Sequence, residues 1–335
     1  MTKTTKILQD SFGREHNYLR ISLIEKCNLR CAYCMPADGV PLTPKSQLMT
    51  AEEIFEIAKT FVAQGVDKIR LTGGEPLVRK DFAEILKNLA TLPVKLSITT
   101  NAVLTDRFIE DFKKYGLNDI NVSLDTLLPE KFKMITRRDQ FKKAYDNIQL
   151  LIKEGFNVKI NAVLMQDFNK DEIVDFVLFT KNLPITVRFI EFMPFDGNRW
   201  NRSKLVTEKE ILEQVENFFG SKYLQKLEDE QNFTSRNYKI EGFEGRFGII
   251  SSVSNPFCDG CNRIRLTANG KIKNCLFSNH ETDVLGALRE GQNLEELISN
   301  SLFKKKAVRA GMDNFEKLND PERHTKNRSM ITIGG

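Results

Sequence analysis

The sequence contains no apolar run long enough to cross a bilayer, and its opening stretch, MTKTTKILQDSFGREHNY, holds no apolar signal region. A cytoplasmic protein with no membrane partner is the expectation. Strong charge is missing too: 50 Lys and Arg stand against 45 acidic residues, a net +5. That excess is too slight to suggest a nucleic-acid partner, yet it suits a small anionic ligand. Disordered tracts are absent, and with 41% hydrophobic residues a chain of 335 can bury one or two proper cores. Cysteine is scarce, at six, and histidine scarcer, at three. In a reducing cytosol, thiols that cluster are expected to hold metal or do chemistry rather than form disulfides.

They do cluster. CNLRCAYC places Cys27, Cys31 and Cys34 in a C-x3-C-x2-C run, and CDGCNRIRLTANGKIKNC places Cys258, Cys261 and Cys275 in a second group of three. None is left over. A structural zinc site normally needs a fourth ligand, and for the first triad the nearest histidine is His16. For the second, His280 lies five residues beyond Cys275, so spacing alone leaves a Cys3His zinc site open.

Around the first triad the chain alternates two periods. Strand-like runs appear as YLRISLI, DKIRLTGG, KLSITTNA, DINVSLDT, NVKINAVLM and ITVRFIEFMP. Helical segments lie between them. In TAEEIFEIAKTFVAQG, Thr50 and Glu53 form a capping box, Ile54, Ile57, Ala58, Phe61 and Val62 make an apolar face, and Gly65 stops the helix. Repeated strand-helix units imply right-handed crossovers and a parallel sheet, here a partial (β/α)6 barrel of TIM-like type. Its active site is expected at the C-terminal ends of the strands. The cysteine loop, Gly73-Gly74-Glu75-Pro76, Thr99-Thr100-Asn101, Ser123 with Asp125, and Met193 should then share one mouth. The glycine pair read alone is a tight turn. Beside a cysteine loop its exposed amides suit a small polar ligand held against a metal.

C-x3-C-x2-C after a first strand, with Tyr33 before the last cysteine and Gly-Gly-Glu-Pro after the second strand, resembles the radical S-adenosylmethionine (SAM) superfamily. FGREHNYLRIS, CMP, IRLTGGEPLVRKDF, INVSLDT, RFIEFMP, CNRIRLT and the final Gly334-Gly335 extend the resemblance over nearly the whole chain. Together they resemble the GTP 3′,8-cyclase family of molybdenum cofactor biosynthesis. One departure is IEKCN where that family has TDRCN, with Glu25 and Lys26 preserving the charges.

The resemblance implies a radical SAM barrel over 1–200, and an α+β extension over 201–335 with a second cluster and a Gly-Gly tail that reaches into the active site. Two [4Fe-4S] clusters are expected, on Cys27, Cys31 and Cys34 and on Cys258, Cys261 and Cys275. Three thiolates on four irons leave one iron open. At the first cluster that iron chelates S-adenosylmethionine, whose reductive cleavage gives a 5′-deoxyadenosyl radical. At the second it faces the guanine of GTP. The radical takes hydrogen from C3′, C3′ bonds to guanine C8, and an electron and a proton complete (8S)-3′,8-cyclo-7,8-dihydroguanosine 5′-triphosphate.

By the same mapping S-adenosylmethionine contacts fall on Tyr33, Gly74, Ser123 and Met193. GTP contacts fall on Arg20, Lys68, Arg70, Thr99, Lys159, Arg188, Arg263 and Arg265, the last two also catalytic. Arg suits phosphate through its bidentate fork. Arg20 and Arg70 sit in apolar strand runs where an unpaired charge is costly, and Arg263 and Arg265 alternate with Ile264 and Leu266 on one side of a strand. Implied partners are an external electron donor and the cyclic pyranopterin monophosphate synthase that takes the product, and a homodimer is compatible. The basic run FKKKAVRAG (303–311) reads as a solvated helix face. Competing readings are a radical SAM peptide maturase, which needs more cysteines in its extra-cluster domain, and an iron–sulfur or zinc nucleic-acid-binding regulator, which leaves Gly-Gly-Glu-Pro without a role.

Overall fold

A computed structural model of the chain describes residues 7–35, 39–229, 232, 234–320, 322–323 and 327–334; Pro36 of the CMP motif and the terminal Gly335 lie outside the described residues. The six predicted strands form: β1 (Tyr18–Ser22), β2 (Lys68–Thr72), β3 (Lys95–Thr100), β4 (Asp119–Ser123), β5 (Asn157–Leu164) and β6 (Thr186–Glu191). Between them run α1 (Ala51–Ala63), α2 (Phe82–Leu89), α3 (Ile109–Lys114), the pair α4 (Pro129–Thr136) and α5 (Phe141–Lys153), and α6 (Ile173–Leu178). The Thr50–Glu53 capping box closes reciprocally at the start of α1, and Ile54, Ile57, Ala58 and Phe61 are buried beneath it. Each strand pairs in parallel with the next, as crossovers through helices require.

Past β6 come α7 (Glu208–Phe219), β7 (Leu224–Lys226), β8 (Arg236–Ile240), β9 (Arg246–Ile250), β10 (Arg263–Leu266), β11 (Lys271–Lys273), β12 (Thr282–Asp283), α8 (Val284–Arg289) and α9 (Leu294–Phe303). One twelve-stranded sheet results, in the order β12-β11-β10-β1-β2-β3-β4-β5-β6-β9-β8-β7. The partial (β/α)6 barrel is present, and it is extended by two strands the sequence reading did not pair. β10 lies parallel beside β1, and β9 parallel beside β6. The expected boundary at 200/201 falls between β6 and α7, and strands from beyond it enter the same sheet.

The two faces of the parallel row differ. Leu19 and Ile21, Ile69 and Leu71, Ile98, Ile120 and Val122, Ile160, Val187 and Phe189, and Ile264 and Leu266 are wholly buried in the main core. The alternate positions carry Tyr18, Arg20, Lys68, Arg70, Ser97, Thr99, Asn121, Lys159, Asn161, Arg188, Arg263 and Arg265, since successive side chains point to opposite faces. Parallel strands covered on both faces usually read as continuous apolar runs. A largely polar second face, with Ile190 among its few apolar residues, therefore marks a lined interior. Register stacks its charges: Arg265 faces Arg20, and Arg20 faces Arg70.

Candidate active site

Two cavities open on the polar face, and they share Thr99 and Met330. The smaller, about 110 Å³, is lined by Cys27, Cys31, Tyr33, Cys34, Gly74, Asn101 and Ser123 among others. Its cysteine loop hangs from the C-terminal end of β1. The amides of Cys34 and Met35 both donate to the Cys31 carbonyl at 3.0 Å, while those of Arg30 and Ala32 donate to Thr136 and Ile135 at the end of α4. Behind the loop the buried Glu25 carboxylate accepts from the Thr43 amide (2.7 Å) and hydroxyl (2.8 Å).

The Gly-Gly-Glu-Pro turn lines this cavity and also has a structural task. Two of its amides are taken up within the fold: Gly74 N–H donates to the Ile24 carbonyl (2.7 Å) and Glu75 N–H to the Lys26 carbonyl (2.9 Å). Backbone meets backbone so closely that a Cβ on Gly74 would stand 2.4 Å from the Lys26 oxygen. The glycine is there to let the cysteine loop dock. Glu75, wholly buried, accepts from Thr100 Oγ1 (2.7 Å) and from the amides of Asn101 (2.8 Å) and Leu77 (3.2 Å), tying the ends of β2 and β3 together. Burial outweighs these donors and raises its carboxyl to about 7. Gly74→Ala is expected to lower stability by about 1–3 kcal/mol, the usual cost of forcing extra atoms into a packed site. Denaturant unfolding checks it: the midpoint should fall with the slope unchanged.

The first three thiols fit an iron–sulfur cluster. They ring one cavity, none is in a disulfide, and burial raises all of them, Cys27 to about 11 and Cys31 and Cys34 further, so they hold protons until a metal cation displaces them. Tyr33 donates to Asp125 Oδ2 at 2.7 Å, fixing its ring beside them.

The larger cavity, about 350 Å³, falls within the roughly 300–1,000 Å³ typical of small-molecule sites. All eight expected GTP-contact residues line it, as do Cys258, Cys261 and Cys275. Met193 lies on this wall, away from the other three residues expected to contact S-adenosylmethionine. Lys273 and Arg309 add two more cations, and among the described residues no Asp or Glu lines it. Arg20 and Arg70 guanidinium carbons and the Lys68 ammonium each stand 5.3–5.6 Å from the Tyr18 ring centre. Burial would raise that phenol, but Arg70, Arg20, Lys68 and Arg188 overcome it and bring it down to about 8. Burial and the neighbouring Arg70 push Arg188 down to about 9. The Nε atoms of Arg20, Arg70 and Arg188 and the Oδ1 atoms of Asn121 and Asn161 are buried without a partner. Mutually repelling cations, three of them with an unsatisfied Nε, in a roomy cavity are arranged for a polyanion.

The second triad fits a cluster as well. Cys258 and Cys261 sit on one turn, the Cys261 amide donating to the Cys258 carbonyl (3.1 Å), and Cys275 follows β11. Burial opposes ionisation of Cys261, yet Arg263 and Lys305 bring it down to about 5. His280 is exposed and is not among the lining residues, so the chain folds without bringing it to these thiols. The basic run 303–311 is not a solvated helix face. α9 ends at Phe303, Lys305 is buried with its ammonium 3.3 Å from Cys261 Sγ, and buried Arg309 lines the cavity. The C-terminal tail lies here too, its Gly334 carbonyl accepting from Arg265 Nη1 at 2.7 Å.

A radical SAM superfamily profile matches residues 21–180 and a Molybdenum Cofactor Synthesis C profile matches residues 185–310. Over 333 residues the chain is 38% identical to the GTP 3′,8-cyclase of Alkaliphilus oremlandii (strain OhILAs), covering 98% of this chain and 100% of that one. The chain belongs to the radical SAM superfamily, in the branch that joins the SAM barrel to a molybdenum cofactor synthesis domain. Radical SAM membership implies an iron–sulfur cluster and S-adenosylmethionine. The mitochondrial GTP 3′,8-cyclase of Arabidopsis thaliana is 47% identical over 335 residues, 98% of this chain and 84% of that protein. Molybdenum cofactor biosynthesis protein 1 of Mus musculus is 48% identical over 333 residues, 98% of this chain. The radical SAM chain spans about half the length of several such relatives, 51% of the mouse protein. Among solved structures, Streptococcus suis SuiB shares the radical SAM fold at a TM-score of 0.61 and 17% identity, covering 87% of this chain and 67% of that one.

Proposed function

We propose that this chain is a GTP 3′,8-cyclase that converts GTP to (8S)-3′,8-cyclo-7,8-dihydroguanosine 5′-triphosphate, the first step of molybdenum cofactor biosynthesis. The observation that carries the reading is the pair of cavities meeting at Thr99 and Met330, one bearing a cysteine triad, the other a second triad and a cation-lined space with no carboxylate among its described residues. A cluster on Cys27, Cys31 and Cys34 would supply the electron that splits S-adenosylmethionine into methionine and a 5′-deoxyadenosyl radical. Tyr33, Gly74 and Ser123 would hold S-adenosylmethionine over the strand ends, with Met193 reaching it from the neighbouring wall. Arg20, Lys68, Arg70, Lys159 and Arg188 would bind the triphosphate, and Arg263 and Arg265 would orient the guanosine. Cys258, Cys261 and Cys275 would hold the second cluster against the base. The division at 200/201 is then one of tasks, the first part making the radical and gripping the triphosphate, the second presenting the guanosine to it.

The same reading includes an external electron donor, a pyranopterin synthase as acceptor of the product, a homodimer as the assembly to be tested, and the reducing cytoplasm in which free thiols stay available for iron. Among the described residues, no helix is long and apolar enough to cross a membrane. Anaerobic reconstitution, iron and sulfide counting, and product identification with GTP and S-adenosylmethionine test the whole; no cyclised nucleotide from a fully loaded protein would overturn it. Arg20→Ala and Arg265→Ala should each weaken GTP binding about 10- to 150-fold, since charge-assisted hydrogen bonds are worth about 1.5–3 kcal/mol. Calorimetry should find S-adenosylmethionine affinity nearly unchanged in both.

A further inference from the structure

Lys305 is 3% exposed, and its ammonium has two recorded partners, Cys261 Sγ at 3.3 Å and the Arg263 carbonyl at 3.0 Å. Among the described residues no carboxylate lies within ion-pair reach of it. A buried ammonium without a counter-charge is costly, and the group in contact able to supply one is the Cys261 thiolate.

The backbone around it is pinned. Lys305 follows α9 with its amide on the Leu302 carbonyl (2.9 Å). The guanidinium of Arg14 then donates to the carbonyls of Lys306 (3.0 Å), Ala307 (2.8 Å) and Cys258 (2.8 Å). Arg14 is itself held by Asp10 at 2.6 Å, and Asp10 is shared with the buried His16 at 3.0 Å. One arginine thus fastens the segment bearing Lys305 to the loop bearing Cys258.

We propose that Lys305 is a positioning residue for the second iron–sulfur cluster, orienting the Cys261 ligand and favouring the cluster's reduced form through a charged N–H bond to its sulfur. The proposal rests on the second-cluster reading above. Each added electron makes a thiolate-bound cluster more negative, so a fixed cation bonded to a ligand sulfur stabilises the reduced state more than the oxidised one.

The test is an anaerobic redox titration of the reconstituted full chain followed by electron paramagnetic resonance, in a Cys31→Ala background so that the second cluster alone is read. With Lys305→Met, at the potential where the background protein is half reduced, the reduced-to-oxidised ratio should fall about tenfold, a shift of about 59 mV for a one-electron couple. Lys305→Arg should return most of it. Coincident midpoints in the background protein and Lys305→Met would overturn the proposal. If Lys305→Met fails to keep its iron, Lys305→Gln, which retains an N–H donor and removes the charge, is read in the same way. Failure of the underlying reading looks different: zinc, or no iron at all, at the second triad in the background protein removes the cluster itself, whereas retained iron with an unmoved potential removes the role of Lys305 alone.

Discussion

Replacing Cys31 with alanine should abolish cleavage of S-adenosylmethionine while leaving the fold in place. The loop does not depend on the thiol: the carbonyl of Cys31 accepts from Cys34 and Met35, and the neighbouring amides of Arg30 and Ala32 are tied to α4, all through backbone atoms that alanine keeps. What is lost is one of three protein ligands to the first cluster. Two thiolates leave two irons of a cubane without protein anchors, so the cluster should be lost or misassembled, and iron should fall from about eight to about four per chain. Even a lost partner behind a metal ligand costs about 10–100-fold in affinity or activity, and loss of the ligand itself should exceed that. 5′-Deoxyadenosine formation is the readout, with circular dichroism as the check on folding. Product at the parent rate in Cys31→Ala would remove the assignment of the first triad.

The six strand-helix units were legible because a period of two alternating with a period of 3.6 is a local signal, and α1 declared its start through Thr50 and Glu53. The places of β9 and β10 were not. Arg263–Leu266 is four residues long and pairs with β1, far earlier in the chain, so nothing in its neighbourhood says that Arg265 will face Arg20. Without that pairing the second triad could be put at the barrel mouth only through the family resemblance. A signal was nevertheless present. The barrel strands largely alternate apolar and polar residues where a doubly covered parallel strand should be apolar throughout, and that alternation would have added Tyr18, Asn121 and Asn161 to the cavity.

Residues whose role lies in a partner distant in sequence stayed hidden. Lys305 read as one of several solvated lysines, because neither period nor composition shows that α9 stops two residues before it and leaves it beside Cys261. Arg14 was visible as part of a motif, though its grip on Cys258 and Ala307 was not. At Gly74 the structure adds a second task that the sequence did not show, since its amide is held by the Ile24 carbonyl while the residue still lines the smaller cavity. A glycine that presents an amide to a ligand and one that admits a neighbouring backbone look alike in sequence, and only the approach of the Lys26 carbonyl decides between them.

Replacing Cys275 separates the two triads, because the structure puts its side chain on the larger cavity and not on the smaller one. Cys275→Ala should therefore leave the β1 loop, Glu75 and the Tyr33–Asp125 bond as they are, and cleavage to 5′-deoxyadenosine should survive. Cyclisation should fall by about 100-fold or more, since displacing a substrate by about 1 Å at the reacting centre costs that much. The cations of β1, β2, β5 and β6 would still bind the triphosphate, so GTP affinity should drop far less than turnover. That divergence marks a positioning loss rather than an empty site. Iron should again fall from about eight to about four per chain, this time with radical formation intact. About four irons and one tightly held zinc in the active parent would instead mean that His280, exposed as the chain folds here, swings in to complete a Cys3His site. Guanine anchoring at the second triad would then be wrong, and the cleavage chemistry of the first would stand.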